Sequence, residues 1–231
     1  MRDVSAFGLI ADRYDAWYDS DQGRPVYESE LKCLEALVVE RRFPLLEVGV
    51  GTGRFAMRFP GAFGVDPALD ALKLARNRGI RCVNGVGEAL PFRDDAFMTV
   101  LIIATICFVK EPPAIFHEAA RVLAPGGSVV IGFIPGESPW GLFYEKRKRD
   151  GSPFYSGARF YSLTDIEGFA SEAGLRATSV MCTLLQDPAG PTRVEEPSPL
   201  YREGAGFVFL KFEKKKESGG QDRLEKIISD G

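Results

Sequence analysis

The chain has 231 residues, of which 45% are hydrophobic and 26% are charged, and its 29 basic and 32 acidic side chains give a net charge of -3. This is the composition of an ordinary globular protein, and it excludes disorder as the main state. The near balance of charge excludes an overall positive field that would attract nucleic acid. The length favours one large α/β domain.

The cysteines and the N-terminus bear on metal binding and compartment. The four cysteines lie far apart and the chain has one histidine, so the sequence predicts no metal site. Residues 1–14 contain charged side chains and no secretory h-region, which favours a reducing, cytoplasmic location. The longest apolar run, residues 97–109, is shorter than the roughly 20 residues that a membrane helix requires. We therefore expect no membrane span.

Helical and extended patterns alternate over the first part of the chain, which favours parallel strands joined by crossover helices. In chain order, the pattern predicts a helix from 25 to about 41, a strand at 45–48, a helix at 53–59, a strand at 62–65, a helix at 67–78, a strand at 80–83, a strand from 97, a helix from about 113 and a strand at 128–134.

The pattern changes after residue 134. Residues 135–161 have no clean period and are expected to form a partly ordered insertion. A capping box of Thr164 and Glu167 predicts the start of a further helix. Two more extended segments follow, at 175–185 and 204–212. Because no helix lies between them, they should pair antiparallel at the sheet edge.

The most informative segment is the strand at 45–48 and the glycine loop that follows it. Glycine stands at positions 49, 51 and 53, where it lets the backbone turn sharply and approach a ligand closely. The helix predicted after the loop would offer unpaired N–H groups to a carboxylate or phosphate. Arg54 occupies the place of the third glycine in a dinucleotide fingerprint, and no G-K-[ST] follows. The loop therefore fits neither a dinucleotide site of that type nor a P-loop.

Several motifs, in the same order along the chain, resemble those of the class I S-adenosylmethionine-dependent methyltransferases, especially the small-molecule enzymes of quinone biosynthesis. Residues 47–53 resemble the family's acid-x-G-x-G-x-G motif, residues 85–92 its G-D-A-E-x-L-P-F stretch, and residues 118–127 its E-x-x-R-V-L-K-P-G-G stretch. The resemblance implies a three-layer, Rossmann-like α/β fold whose sheet is mostly parallel with an antiparallel edge strand. It also implies S-adenosylmethionine as the cofactor.

The resemblance assigns roles to individual residues. Glu47 would orient the glycine loop or reach the amino group of the cofactor. Asp66 would accept hydrogen bonds from both ribose hydroxyls, a role that a carboxylate can fill on chemical grounds alone. Because Val86 replaces the acid that commonly contacts adenine, backbone groups near Gly87 and Glu88 are the expected partners. The expected cofactor-binding residues are Glu47, Gly49, Val50, Gly51, Gly53, Asp66, Pro67, Gly87, Glu88, Ala104 and Tyr14.

Methyl transfer from a sulfonium is an in-line displacement, so alignment of the reactants supplies much of the rate and no nucleophilic side chain is required. An acceptor that is a hydroxyl or a carbon acid would still require a general base. His117, the candidate by residue type, is placed on the polar face of its helix, and Cys107 and Phe108 stand where many relatives have a histidine. We therefore assign no catalytic residue and no oligomeric state. The predicted function is methyl transfer from S-adenosylmethionine to a small-molecule acceptor. The alternative is a non-catalytic S-adenosylmethionine-binding or regulatory protein. It is kept open by Val86, by the missing histidine, and by Met98, which stands where the family's F-D-x-V stretch has its acid.

Two aromatic segments are candidates to cover the site. Residues 14–18 fit either an amphipathic helix that packs on the domain or a cover over cofactor and acceptor. The aromatic side chains of residues 135–161 fit either an acceptor surface or a satellite core beneath a long loop. The basic run at 146–149 is expected to be a solvated face, although an anionic acceptor could use one or two of its side chains. The chain then divides into a helical cap at 1–42, a methyltransferase domain at 43–213 with a second cap inserted at 135–161, and a charged tail at 214–231.

Overall fold

The structure is a computed structural model, and it describes residues 4–39, 42–152 and 154–214. The described helices are α1 (Val4–Trp17), α2 (Gly23–Leu37), α3 (Leu69–Asn77), α4 (Pro112–Val122), α5 (Pro139–Arg149) and α6 (Leu163–Glu172). The described strands are β1 (Leu45–Val48), β2 (Phe63–Asp66), β3 (Arg81–Asn84), β4 (Phe97–Ile103), β5 (Leu123–Phe133), β6 (Leu175–Thr183) and β7 (Phe207–Lys214).

The strands form one seven-stranded sheet in the order β3-β2-β1-β4-β5-β7-β6. The strands β1 to β5 are parallel, and β7 is antiparallel to both β5 and β6. This confirms the predicted fold class, a mostly parallel α/β sheet with an antiparallel pair at one edge. From β1 the chain builds outward to β3 and then returns to β4 on the other side of β1. Such a switch leaves a crevice at the carboxyl ends of β1 and β4, where ligands bind in sheets of this kind.

Helices cover both faces of the sheet, because successive side chains of a buried strand point to opposite faces. In β1, Leu46 belongs to a cluster that includes Phe116 of α4 and Ile166 of α6. Its neighbour Leu45 belongs to a second cluster, with Leu34 of α2. All five side chains are fully buried. The molecule therefore has the three layers that the resemblance implied.

The predicted helix at 53–59 is wrong. Gly53 has a φ of 85°, outside the helical region, and only a short 3₁₀ turn, Ala56–Arg58, follows it. The loop after β1 therefore presents the amides of a turn, and not the N-terminus of an α-helix, to the crevice.

The helix after the insertion begins at a different capping box from the one predicted. The Asp165 N–H donates to Ser162 Oγ at 3.1 Å, and the Ser162 N–H donates to Asp165 Oδ2 at 2.9 Å. Thr164 and Glu167 lie two residues further along the chain, inside α6. Both pairs have the spacing of a capping box, so the sequence pattern alone did not distinguish them.

The insertion at 135–161 contains a regular helix, although its sequence has no clean period. Ser138 caps α5 by accepting a hydrogen bond from the Gly141 N–H at 3.0 Å, and Pro139 occupies the first helical position. The strand β5 also differs, because it begins at Leu123, directly after α4, rather than at residue 128. Leu123 pairs with Phe97, and the register shifts before the next pair.

The predicted charged tail lies outside the described residues from 215 onward. Lys214 ends β7 and pairs with Asp95 at 3.1 Å. Within the described ranges, no helix is long and apolar enough to cross a membrane. The same ranges hold no group of three or more His, Cys, Asp and Glu side chains that could bind a metal ion. The four cysteines are free thiols.

Candidate functional site

Two adjoining cavities lie at the carboxyl ends of the parallel strands. The large cavity has a volume of about 930 Å³ and follows the ends of β1, β2 and β4. The aromatic cavity has a volume of about 390 Å³ and extends from the large cavity toward α2 and α5. The residues that line both are Tyr14, Tyr18, Ala104, Phe108 and Phe154. Ten of the eleven expected cofactor-binding residues line the large cavity, Gly53 being the exception.

The glycine loop after β1 forms one wall of the large cavity. Gly49 has a φ of 71°, and a Cβ there would lie 2.3 Å from the side chain of Thr105. The N–H groups of Gly49 and Val50 donate to the Val65 carbonyl at 2.8 and 3.1 Å, which ties the loop to β2. Gly51 has a φ of 51° and faces open space. The loop therefore needs glycine at Gly49 for backbone conformation and space together.

Asp66, at the end of β2, lies beside this loop and is 7% exposed. Its Oδ2 accepts a hydrogen bond from the Gly51 N–H at 2.9 Å, and its Oδ1 accepts one from the Ala68 N–H at 2.8 Å. Burial raises the pKa of Asp66, although these two hydrogen bonds act in the opposite direction. Each carboxylate oxygen has a further lone pair, so the group can still accept hydrogen bonds from two hydroxyls in the cavity.

Glu47 lines the same cavity from β1 and is 2% exposed. The Ala56 N–H donates a hydrogen bond to it, but its Oε2 is buried with no partner among the described residues. Burial raises the pKa of Glu47 well above its usual value. A buried carboxyl oxygen without a donor fits a cationic ligand group, such as the ammonium of a bound amino acid.

The turn after β3 closes the opposite end of the large cavity. A Cβ at Gly87 would lie 2.7 Å from Ile115, so the turn packs closely on α4. Glu88 Oε1 accepts a hydrogen bond from the Lys110 N–H at 3.1 Å. Val86, which replaces the family's acid, is 44% exposed. The backbone of Gly87 and Glu88 therefore remains the expected contact for adenine.

Gly53 is the predicted residue that does not line the large cavity. A Cβ at this position would lie 2.3 Å from Ile80, so packing beneath the loop is enough to require glycine there. Its contact with the cofactor stays a prediction.

Helix α1 is held against the glycine loop by Asp15. The Asp15 carboxylate accepts hydrogen bonds from Thr52 Oγ1, from Arg54 at 2.8 and 2.9 Å, and from Arg78 at 2.8 and 2.9 Å. Burial would raise the pKa of Asp15, but the bonds from Arg78, Arg54 and Thr52 outweigh it and hold the pKa well below its usual value. Because Tyr14 of the same helix lines both cavities, α1 acts as a wall of the site, which favours the cover interpretation of residues 14–18.

Tyrosines dominate the aromatic cavity. Tyr14 Oη and Tyr18 Oη lie 3.0 Å apart, and the rings of Tyr144 and Tyr155 have centroids 4.6 Å apart. Burial raises the pKa of each of these four phenols above its usual value. Cys107 also lines the cavity, where burial raises the pKa of its thiol to about 12. The raised pKa values keep these phenols and the thiol protonated and neutral near pH 7.

The aromatic residues of the insertion do not share one role. Tyr144, Phe154 and Tyr155 line the aromatic cavity. Trp140 is 3% exposed and donates its indole N–H to the Gln186 carbonyl at 2.9 Å, so it is part of the core. Phe143 lies beneath the Arg147 guanidinium, with 5.2 Å between the ring centroid and Cζ. The satellite-core interpretation is therefore correct for Trp140, whereas an acceptor surface stays a prediction for the residues that line the aromatic cavity.

The structure adds one residue that the sequence analysis missed. Glu30 of α2 is 5% exposed and lines the aromatic cavity. Burial raises its pKa to about 8, and no described group donates a hydrogen bond to it. The sequence did contain a signal for this residue. Glu30 stands on the apolar face of α2, four residues after Val26 and four before Leu34, and both of these are buried.

The remaining candidates lie outside the two cavities or at their edge. His117 is exposed on α4 and lines neither cavity. In the basic run, Lys146 pairs with Asp150 at 2.6 Å, as expected for a solvated face. Arg147 also lines the aromatic cavity, although it is exposed.

Comparison with known proteins gives three kinds of match. The family model described as a methyltransferase domain matches residues 46–131. An uncharacterised protein of Mycobacterium tuberculosis is 46% identical over 208 residues, which cover 89% of this chain and 73% of that protein. The demethylmenaquinone methyltransferase of Thermus thermophilus is 30% identical over 154 residues, which cover 58% of this chain and 70% of that enzyme. A crystal structure from Thermotoga maritima, described as a SAM-dependent methyltransferase and possible histamine N-methyltransferase, is 33% identical with a TM-score of 0.81, and the match covers 91% of this chain and 99% of that one.

Proposed function

This chain belongs to the S-adenosylmethionine-dependent methyltransferases, and we propose that it methylates a small molecule bound in the aromatic cavity. The observation that carries the proposal is the junction of the two cavities at Ala104, Tyr14 and Tyr18. One side of the junction is built from the residues of the cofactor motifs. The other side is an apolar cavity of about 390 Å³, a size that suits a small organic molecule.

The groups that line the large cavity support a cofactor site there. We propose that Glu47 binds its ammonium through the unpartnered Oε2, and that Asp66 accepts hydrogen bonds from its ribose hydroxyls. The backbone at Gly87 and Glu88 is proposed to contact the adenine, and Pro67 to pack beside the ribose. The bound cofactor supplies a methyl group carried by a positively charged sulfur.

The chain's own contribution to the reaction is alignment and exclusion of water. Ala104 has a φ of 50°, and its N–H donates to the Gly132 carbonyl at 2.8 Å, which fixes the backbone between the two cavities. Tyr14 and Tyr18 form a wall common to both. An in-line displacement gains most from such rigid positioning, because the acceptor atom attacks the methyl group directly and no side chain of the protein has to act as a nucleophile.

Two further parts of the proposal concern partners and location. We propose that the acceptor is not a nucleic acid, since the net charge is -3 and the cavity is small. We also propose a cytoplasmic location, which is supported by four cysteines that are all free thiols.

The first test measures thermal unfolding with S-adenosylmethionine, with its demethylated product S-adenosylhomocysteine, and with NAD as the control. A ligand present at 100 times its dissociation constant stabilises the native state by about 2.7 kcal/mol. We expect both sulfur compounds to raise the melting temperature and NAD to leave it unchanged. The opposite pattern would contradict the cofactor assignment.

The second test measures turnover. Small apolar and aromatic acceptors are incubated with cofactor that carries a radiolabelled methyl group, and label in the organic product is counted. Transfer to a small acceptor supports the proposal, whereas cofactor binding without transfer to any acceptor would favour the non-catalytic alternative.

A further inference from the structure

We propose that the acceptor carries a basic nitrogen, and that Glu30 binds this nitrogen as a cation inside the aromatic cavity. The inference rests on the proposed function, because it takes the aromatic cavity to be the acceptor site. It names a substrate class, an organic amine with an apolar frame, and a residue that selects it.

The first argument is that Glu30 has no structural partner. The side chain is 5% exposed and lines the cavity, and no hydrogen bond or ion pair joins it to any described residue. A buried carboxyl without partners destabilises the fold, since removing it from water is not compensated. Burial accordingly raises the pKa of Glu30 to about 8. A ligand cation in the cavity would provide the missing partner and favour the ionised form.

The second argument is the chemistry of the surrounding walls. The titratable groups that face Glu30 are Tyr14 and Tyr18 of α1, Tyr144 of α5 and Cys33 of its own helix. Burial raises the pKa of each of them, so they remain neutral and offer no competing charge. Aromatic faces attract cations, and tyrosine hydroxyls accept hydrogen bonds from an ammonium. Glu30 is the only carboxylic acid among the described residues that line this cavity.

The third argument concerns three arginines that also line the cavity. Arg13, Arg147 and Arg159 are exposed, and each guanidinium lies over an aromatic ring at 5.1 to 5.6 Å from its centroid. Charges in contact with water are screened by salt and solvent, whereas a charge in a buried cavity is screened much less. We therefore expect the buried Glu30, rather than the exposed arginines, to select the charge of the ligand. Binding of an anionic acceptor through the arginines is the competing outcome.

The experiment uses calorimetry on the full chain saturated with S-adenosylhomocysteine. The probes share an apolar frame and differ in one end group: benzylamine and 2-phenylethylamine are the amines, 2-phenylethanol the neutral compound, and 3-phenylpropionate the anion. We expect at least one amine to bind about tenfold more tightly than the alcohol and the carboxylate, since it alone pairs with a desolvated carboxylate.

Two variants on the same helix connect the effect to one side chain. Glu30→Gln keeps the shape and removes the charge, and we expect it to reduce amine affinity about ten- to hundredfold, the effect of losing a charged hydrogen-bond partner. Glu28→Gln makes the same change at an exposed position of α2 and should leave amine affinity unchanged. S-adenosylhomocysteine affinity should be the same in both variants, which shows that they are folded.

The outcomes separate this inference from the proposed function. If neither amine binds, if the alcohol or the carboxylate binds as tightly as the better amine, or if Glu30→Gln keeps full amine affinity, Glu30 is not the acceptor's partner. In each of these cases the proposed function would stand, with an acceptor of a different chemical class. If wild-type protein fails to bind S-adenosylhomocysteine, the proposed function itself is wrong.

Discussion

The large cavity and the aromatic cavity meet at Ala104, but the protein builds them in different ways. The large cavity follows the ends of the neighbouring strands β1, β2 and β4 and the loops after them, with Glu47 and Asp66 held in place by amide hydrogen bonds. The aromatic cavity is formed by side chains from α1, α2, α5 and β7, which lie far apart in sequence. A cofactor common to the family requires a fixed frame, whereas an acceptor site can change by substitution of single side chains.

The largest expected effect comes from breaking the backbone frame at Gly49. In Gly49→Ala, the new methyl group would lie 2.3 Å from Thr105, whose hydroxyl is held by hydrogen bonds to the Gly49 and Ile103 carbonyls. Displacement of the loop by roughly 1 Å should reduce turnover at least about a hundredfold. Titration with S-adenosylhomocysteine should show the same loss of affinity.

The matched control for this variant is Gly61→Ala. Gly61 has a φ of 87°, but a Cβ there meets nothing within 4 Å. Gly61→Ala should lower the free energy of unfolding by about 1–2 kcal/mol, the penalty for a residue with a Cβ in the left-handed region, and should leave cofactor affinity unchanged. Equal cofactor affinity in the two variants would show that the collision at Gly49 is tolerated.

The next largest effect is expected from a change at Asp66, a carboxyl that lines the large cavity. Asp66→Ala removes the proposed acceptor of two ribose hydroxyls, and hydrogen bonds to a charged group contribute about 1.5–3 kcal/mol. Affinity for S-adenosylhomocysteine should therefore fall about ten- to hundredfold. Asp66→Asn keeps the shape and one acceptor oxygen, so its loss should be smaller. Unchanged affinity in folded Asp66→Ala would show that the residue lies outside the ribose site.

The difference between the cavities also explains which part of the site could be predicted from the sequence. Glu47, Gly49 and Asp66 lie within a short stretch of chain, where glycine spacing and an acid at a strand end have a local physical meaning. Glu30 became visible only when the fold brought α2 against α1 and α5, because an isolated acid in a helix is ordinarily exposed. The mostly parallel sheet was predictable from the alternation of helical and extended patterns, whereas the capping box at Ser162 competed with an equally spaced pair and was missed.

The pH dependence of stability tests the aromatic cavity without any ligand. The pKa of Glu30 is raised from 4.5 to about 8 in the folded protein. Below pH 4.5 the Glu30 carboxyl is protonated in both the folded and the unfolded protein, so its ionisation does not change the stability. Between pH 4.5 and 8 the unfolded chain loses a proton that the folded protein keeps, so stability falls as pH rises.

Thermal unfolding of wild type and Glu30→Gln from pH 5 to pH 9 measures this contribution. Glu47 and Asp66 also have raised pKa values but are the same in both proteins, so the difference isolates Glu30. The variant should gain stability relative to wild type as pH rises toward 8. A difference that stays constant across this range would show that the Glu30 carboxyl ionises as freely in the cavity as in water.

The smallest expected effect concerns α1, the wall that the two cavities share. Asp15→Asn keeps the shape of the side chain but removes its charge, and the amide NH2 takes the place of one of the two oxygens that accept hydrogen bonds from Arg54 and Arg78. Because α1 also packs through its aromatic side chains, cofactor affinity should fall only about fivefold.

The pKa of Asp15 is held below its usual value, so its stabilising contribution is present above about pH 4 and is lost as pH falls through the folded pKa. Asp19→Asn is the control, since Asp19 is 68% exposed and meets only the outer side of Arg54. If Asp15→Asn changed cofactor affinity but left acceptor affinity untouched, α1 would belong to the large cavity alone, because a shared wall that loosens must affect the ligands on both of its sides.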